Sequence, residues 1–255
     1  MSNLVSVDFT EGILIITINR PEARNAISFE TAQQLSAAFD QMDAREDVKI
    51  GILTGAGGTF CSGMDLKDFA KTRKRSSVEG KGFGGLNEAP PKKPLIAAIE
   101  GYAVAGGFEM VLACDLIVAA NNAKFGLPEV KRGLVAGGGG LVRLPRQIPY
   151  HVAMEVLLTG DMLSVERAYQ LGLVNVVTDP GQALSEAMKL AARICENGPL
   201  AIRTVKDVVV KGLDFPVADM FKLQRPLTDH IFMSEDAREG ATAFAEKRKP
   251  VWKGK

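Results

Sequence analysis

The chain has 255 residues, 46% apolar and 24% charged, with 31 Lys and Arg against 30 Asp and Glu. This is the composition of a globular protein with a sizeable core and excludes a disordered chain. The even charge balance gives no basis for binding nucleic acid or an anionic membrane surface, so neither is expected as a partner.

In chain order, the first element reads as a β-hairpin. Val5 to Phe9 alternates, Glu11-Gly12 turns, and Ile13 to Ile18 is a β-branched run. Asn19-Arg20-Pro21 breaks it, and Ser28 caps an amphipathic helix carrying Phe29, Ala32, Leu35, Ala38, Phe39 and Met42 at helical spacing. Lys49 to Thr54 is a short buried strand ended by glycines, and strand–helix–strand order predicts an α/β protein. From Lys71 to Pro91 the basic, glycine- and proline-containing composition predicts a mobile, solvated surface segment, either a lid or a plain loop.

A second unit follows: a strand at Leu95 to Ile99, a Gly/Ala-rich turn at Gly101 to Gly107, a short buried helix at Phe108 to Cys114 and a strand at Leu116 to Ala119. Lys124-Phe125-Gly126 is short and extended, and Gly137 to Gly140 opens a helix over Leu141 to Gln147. Helices at His151 to Leu158, Ser164 to Leu171 and Gln182 to Glu196 enclose a strand at Asn175 to Val177. From Pro199 onward the pattern is helical throughout, with segments at Leu200 to Lys211, Pro216 to Met233 and Ser234 to Lys247. This divides the chain into a core over 1–198 and a helical region over 199–255.

Chemistry concentrates in two glycine-rich turns and two glutamates. The turns are Phe60-Cys-Ser-Gly-Met-Asp-Leu66 and Gly101-Tyr-Ala-Val-Ala-Gly-Gly-Phe-Glu109. Small residues let a ligand approach the backbone, and free N–H groups at a helix start can face developing negative charge. Ordinary strand-to-helix turns have the same local pattern. Glu109 lies among small and apolar residues, where a carboxyl is costly unless it has partners or work to do. Glu129 follows Pro128, where favourable placement in a helix dipole is an equal explanation.

Other chemistries fit poorly. His151 and His230 have no Ser or Cys motif to serve, and Ser62 is not in a Gly-x-Ser-x-Gly elbow. Cys61, Cys114 and Cys195 form neither a metal-ligand spacing nor a disulfide framework, so no metal and a reducing, cytoplasmic setting are expected. The N-terminus reads as neither a signal nor a transit peptide, and Met110 to Ala120, broken by Asp115, is too short to cross a bilayer.

Together these residues resemble the crotonase (enoyl-CoA hydratase/isomerase) superfamily. The match includes Asn19-Arg-Pro-Glu-Ala-Arg-Asn-Ala26, both glycine-rich turns, Lys93-Pro-Leu-Ile-Ala-Ala98, Lys124-Phe-Gly-Leu-Pro-Glu129, Leu158-Thr-Gly160, Ala168 to Val174 and Glu235-Asp-Ala-Arg-Glu-Gly240. The ending, Ala243 to Lys253, is most similar to actinobacterial-type hydratases and to carnitinyl-CoA dehydratase. The resemblance implies an α/β spiral of ββα turns with a C-terminal helical trimerisation region, and homotrimers or dimers of trimers.

By the same resemblance the substrate is an acyl-CoA, with coenzyme A part of the substrate and no separate cofactor. Glu109 and Glu129 are the implied acid/base pair, and the N–H groups of Met64 and Gly106 the oxyanion donors. The implied reaction is syn addition of water to a 2-enoyl thioester, with Glu109 activating water and Glu129 exchanging the α-proton, the two roles being interchangeable at this stage. Carnitinyl-type dehydration and double-bond isomerisation are alternatives within the family; a non-catalytic acyl-CoA-binding protein is an alternative outside enzymology. The nucleotide of coenzyme A is expected near Ala23, Arg24, Ser62, Asp65, Leu66 and Lys67, with Arg24 and Lys67 as phosphate partners or as solvated charges. Two departures stand out: Met64 where alanine is commoner, and Ala136 followed by Gly137 to Gly140, expected to loosen the acyl pocket.

Overall fold

The computed structural model describes residues 3–255. The chain opens with β1 (Val5–Thr10) and β2 (Ile13–Ile18), an antiparallel hairpin turned by Glu11 and Gly12, both at positive φ. Then come α1 (Phe29–Ala44), β3 (Ile50–Gly55), α2 (Leu66–Thr72), β4 (Ser77–Val78), β5 (Gly82–Phe83), β6 (Leu95–Ile99), β7 (Tyr102–Val104) and α3 (Gly106–Leu112). The chain continues through β8 (Leu116–Ala120), β9 (Lys124–Gly126), a 3-10 turn (Pro128–Arg132), α4 (Gly140–Gln147), α5 (Tyr150–Thr159), β10 (Leu163–Ser164), α6 (Val165–Gln170), β11 (Val176–Thr178) and α7 (Ala183–Cys195). It ends in α8 (Pro199–Gly212), α9 (Val217–Phe232) and α10 (Glu235–Ala245). As expected, Ser28 caps α1, its hydroxyl accepting from the Thr31 N–H at 3.1 Å.

The main sheet has six strands in the order β1-β2-β3-β6-β8-β11, parallel except for β1. Its inner strands are almost wholly apolar, Thr17 and Thr54 apart, because both faces are covered. Leu14, Ile16, Leu53, Leu95, Ala97 and Ala119 enter one core, while Ile13, Ile50, Ile52, Ile96, Ala98 and Val118 meet α7 on the other face. The α7 contact uses Ala183, Ala187 and Ala191, spaced four residues apart, so that one small stripe lies against the sheet.

Each inner strand is followed by a short extended piece in a second layer. These pieces pair in succession: Ile27 with Met64, Cys61 with Ala103, β7 with β9, and β9 with β10. Strand, short strand and helix therefore repeat as the chain advances, which is the spiral of ββα turns expected from the sequence. The short pieces bring Cys61 to Met64, β7 and β9 side by side, and with them both glycine-rich turns.

The segment from Lys71 to Pro91 departs from expectation. Lys71 to Arg75 is exposed, but Ser76, Leu86 and Asn87 are buried, and β4 pairs with β5. Its glycines serve close packing: a side chain at Gly84 would meet Met110 Sδ at 2.8 Å, and one at Gly85 would meet Ser36 Cβ at 2.6 Å. Most of the segment is a packed flap, not a mobile loop.

Candidate active site

The site is held together from beneath by the Asn19–Ala26 motif. Asn25 is fully buried; its Oδ1 accepts from Arg20 N at 2.9 Å and its Nδ2 donates to Ala56 O at 2.8 Å and Thr59 O at 2.6 Å. Arg20 pairs with Asp65 at 2.9 Å, and Asp65 also caps α2 by accepting from the N–H groups of Lys67 (3.1 Å) and Asp68 (3.0 Å). Burial pushes the Asp65 carboxyl up, but the Asp68 N–H, the Arg20 guanidinium and the Lys67 N–H outweigh it and hold it below the usual range. Both Asp65 oxygens are therefore occupied by the protein itself. Ser62 N donates to Arg24 O at 3.1 Å, which brings Ala23-Arg24 beside the Ser62 to Lys67 loop. Arg24, Leu66 and Lys67 lie exposed on this rim.

The two glycine-rich turns meet at the start of α3. Gly106 opens this helix, so its N–H is one of those a helix leaves without an internal acceptor. Ala105 reaches this start at φ 52, ψ −127, a sparsely populated conformation anchored by its N–H donating to Gly126 O at 2.8 Å. At Met64, Gly63 O and Asp65 N make the bonds to Ile27, so the Met64 N–H points to the other side of that short strand. Gly63 lies against the helix start: a side chain there would come within 3.3 Å of Gly106 N. Above Gly106 sits the Phe83 ring, which any side chain at Gly106 would strike. Burial pushes the neighbouring Cys61 thiol up to about 12, which leaves it protonated and a poor nucleophile.

Glu109, one turn into α3, is only 4% exposed. Its Oε1 accepts from the Gly140 N–H at 3.0 Å. Burial raises its affinity for a proton, and the N–H groups of Gly140 and Gly138 and the Arg143 guanidinium reclaim part of that rise. The glycine run thus wraps the carboxyl closely: a side chain at Gly138 would overlap Glu109 Oε2. Glycine here permits close approach of backbone to carboxyl.

Glu129 stands in the first turn of the 3-10 segment, and its buried Oε2 has no hydrogen-bond partner in the protein. Burial, together with the nearby Glu109 charge, pushes its carboxyl up to about 6. Two carboxyls of raised proton affinity, one of them in the first turn of α3, form an arrangement able to polarise a carbonyl and move protons beside it. Sequence reasoning missed Asn25 as a clamp, Arg143 and Asn87. Asn25 alone had a signal, since it lies inside a quoted motif.

The raised value has a consequence for stability. The folded protein binds the Glu129 proton more tightly than a free carboxyl of 4.5 does, so stability at this group falls as pH rises from about 4.5 to about 6 and is flat above. Glu129→Gln is expected to be more stable than the wild type at pH 8, by about 1 kcal/mol once the solvent screening of this half-exposed carboxyl is taken off the full shift. By pH 5 the gain shrinks by more than half. Thermal melts at the two pH values check this, and a gain independent of pH contradicts it.

Comparison with known proteins gives the family. The enoyl-CoA hydratase/isomerase family model matches residues 8–255, and the chain belongs to that family. It is 43% identical over 243 residues to an enoyl-CoA hydratase of Mycobacterium tuberculosis, covering 93% of this chain and 91% of that one. It is 41% identical over 250 residues to a carnitinyl-CoA dehydratase of Salmonella paratyphi A, covering 95% of each. A crystal structure of an enoyl-CoA hydratase from M. tuberculosis H37Rv superposes over the full length of both chains with a TM-score of 0.97 at 53% identity.

Proposed function

We propose that the protein is an enoyl-CoA hydratase, a hydro-lyase that adds water reversibly across the double bond of a 2-enoyl-CoA. The observation that carries this reading is buried Glu109 in the first turn of α3 together with half-buried Glu129, whose Oε2 is buried without a partner and whose proton affinity the Glu109 charge helps raise. The thioester oxygen is placed between the N–H groups of Met64 and Gly106, where enolate charge gathers during addition. Ionised Glu109 takes a proton from water as the water oxygen attacks the β-carbon. Glu129, in the protonated form that its raised proton affinity keeps within reach, delivers a proton to the α-carbon. One O–H bond of water breaks, C–O and C–H bonds form, and the two carboxyls exchange protonation states before the next turnover.

The coenzyme A nucleotide is assigned to the rim of Ala23, Arg24, Ser62, Leu66 and Lys67, with the Arg24 and Lys67 cations facing phosphate. Asp65 supports that rim through the α2 cap and Arg20. No cofactor beyond the substrate's own coenzyme A enters the scheme. Carnitinyl-CoA-type dehydration is the same chemistry run in reverse. Isomerisation needs one carboxyl to shuttle a proton and leaves the second without work. A binding-only protein gains nothing from holding Glu129 Oε2 buried and unpaired, at a cost of about 1–3 kcal/mol. Loss of enoyl-thioester absorbance on adding the protein to a panel of 2-enoyl-CoAs tests the proposal. Tight binding without turnover at every chain length would sink it.

Among the described residues no helix is long and apolar enough to cross a membrane. The C-terminal helices instead point to self-association. None of the residues in α8 or α9 is buried in the single chain, and Val205, Val209, Leu213, Phe221, Phe232 and Met233 are exposed. We assign this surface to homotrimer contacts. Light scattering after gel filtration is expected to give three copies or a multiple of three, and Phe221→Asp with Phe232→Asp to shift the population to smaller species. A monomeric wild type contradicts the assignment.

A further inference from the structure

Besides Glu129 Oε2, Asn87 Oδ1 is a buried side-chain polar atom without a partner among the described residues. Asn87 is 1% exposed and follows the β5 flap, its N–H donating to Phe83 O at 3.3 Å while the Phe83 ring covers Gly106. Its orientation is fixed, because Nδ2 donates to Gly138 O at 2.7 Å and a flipped amide would set oxygen against oxygen. Gly138 is also where Glu109 packs: a side chain built there would reach Asn87 Nδ2 at 3.2 Å and overlap Glu109 Oε2. The Asn87 amide is thus held at the Gly138 turn beside Glu109, and leaving its Oδ1 acceptor buried and unmet costs about 1–3 kcal/mol. What it lacks is a donor, and in this site the incoming donor is an O–H.

Resting on the hydratase reading, we infer that Asn87 is a positioning residue for the reacting water, its Oδ1 accepting the proton that Glu109 does not take. Water has two O–H bonds to direct. One proton passes to Glu109 as the oxygen attacks the β-carbon, and the other stays on oxygen and becomes the product hydroxyl. An amide oxygen accepts a hydrogen bond but does not take up the proton, so Asn87 aims the water without competing as a base. In the reverse direction it holds the β-hydroxyl before it leaves.

The test uses two reactions of the same site. Hydration needs the water; exchange of the α-protons of a saturated acyl-CoA with deuterated solvent needs the oxyanion site and a carboxyl but no attacking water. In Asn87→Ala, hydration is expected to fall about 10²-fold while exchange stays within about threefold of wild type. The acidic limb of the kcat/KM profile is expected not to move. Asn87→Ser, which keeps a hydroxyl acceptor, is expected to recover part of the loss and is read the same way if the alanine variant does not fold. Hydration within about twofold of wild type, or parallel loss of both reactions, overturns the inference. So does an acidic limb shifted to higher pH, because Asn87 would then act only through the Gly138 turn that sets Glu109. A wild type that exchanges α-protons but never hydrates refutes the hydratase reading itself and removes this role with it.

Discussion

Glu109→Gln and Glu129→Gln are each expected to cut hydration by about 10²–10⁴ with the fold intact, a general acid or base being worth that much. The substitutions keep shape and remove only the titrating oxygen, so folding is not at issue. Glu129→Gln gains stability at neutral pH by losing a buried charge with an unmet oxygen. In Glu109→Gln the Gly140 N–H keeps an acceptor when the amide oxygen takes the Oε1 position, and the Gly138 N–H loses one, at a cost of about 1–3 kcal/mol. Binding of a substrate analogue is expected to survive in both, because the N–H donors are backbone groups. The double variant is expected to be little worse than the weaker single, since the pair acts as a unit. Steady-state hydration with calorimetric analogue binding checks all of this. Either variant retaining more than about a tenth of wild-type kcat would remove that residue from the proton-transfer step.

Gly107→Ala is expected to damage both stability and activity. The added carbon would overlap Cys61 O and lie 2.9 Å from the Cys61 carbonyl carbon. Those are backbone atoms of the other glycine-rich turn, locked by Cys61 N donating to Tyr102 O and Val104 N donating to Cys61 O, both at 2.9 Å. No rotamer change relieves the clash; the helix and the turn must separate, and the N–H groups of Met64 and Gly106 separate with them. Overpacking costs typically about 1–3 kcal/mol, which is several degrees in Tm for a chain of this size. Hydration falls by a further 10²–10³ or so if one oxyanion donor is lost. Gly137→Ala is the control. Its nearest neighbour would be Val135 O at 3.9 Å, and its φ is not positive, so both melt and rate should match wild type. Equal behaviour of the two variants would mean that the turns are not rigidly joined.

Local pattern carried much of the architecture. Ser28 and the spacing behind it define a capped helix, and uninterrupted β-branched runs define strands covered on both faces, because caps and burial periodicity act over a few residues. Glu109 was legible for the same reason: its own neighbours in sequence are apolar, and they form its buried helix. Glu129 was not decided locally. Pro128 and a helix start explain it equally well by the dipole, and only the packing of a distant segment burying its Oε2 gives it a raised proton affinity. The family motifs joined these pieces before any geometry was available.

The flap shows the opposite case. From Lys71 to Pro91 glycine, proline and charge read as a solvated loop, yet Ser76, Gly84, Leu86 and Asn87 are buried. A glycine required for close approach is indistinguishable in one dimension from a glycine that frees a loop, and only the surfaces of α1 and α3 tell them apart. In the Gly137 to Gly140 run, likewise, only the packed structure shows that Gly138 and Gly140 bring their backbone against Glu109. By itself, then, the sequence determined the spiral α/β fold, the family and the two glutamates. The tertiary structure alone decided that both carboxyls hold their protons more tightly than free ones and that Asn87 stands beside Glu109, because desolvation and unmet hydrogen bonds are set by residues distant along the chain.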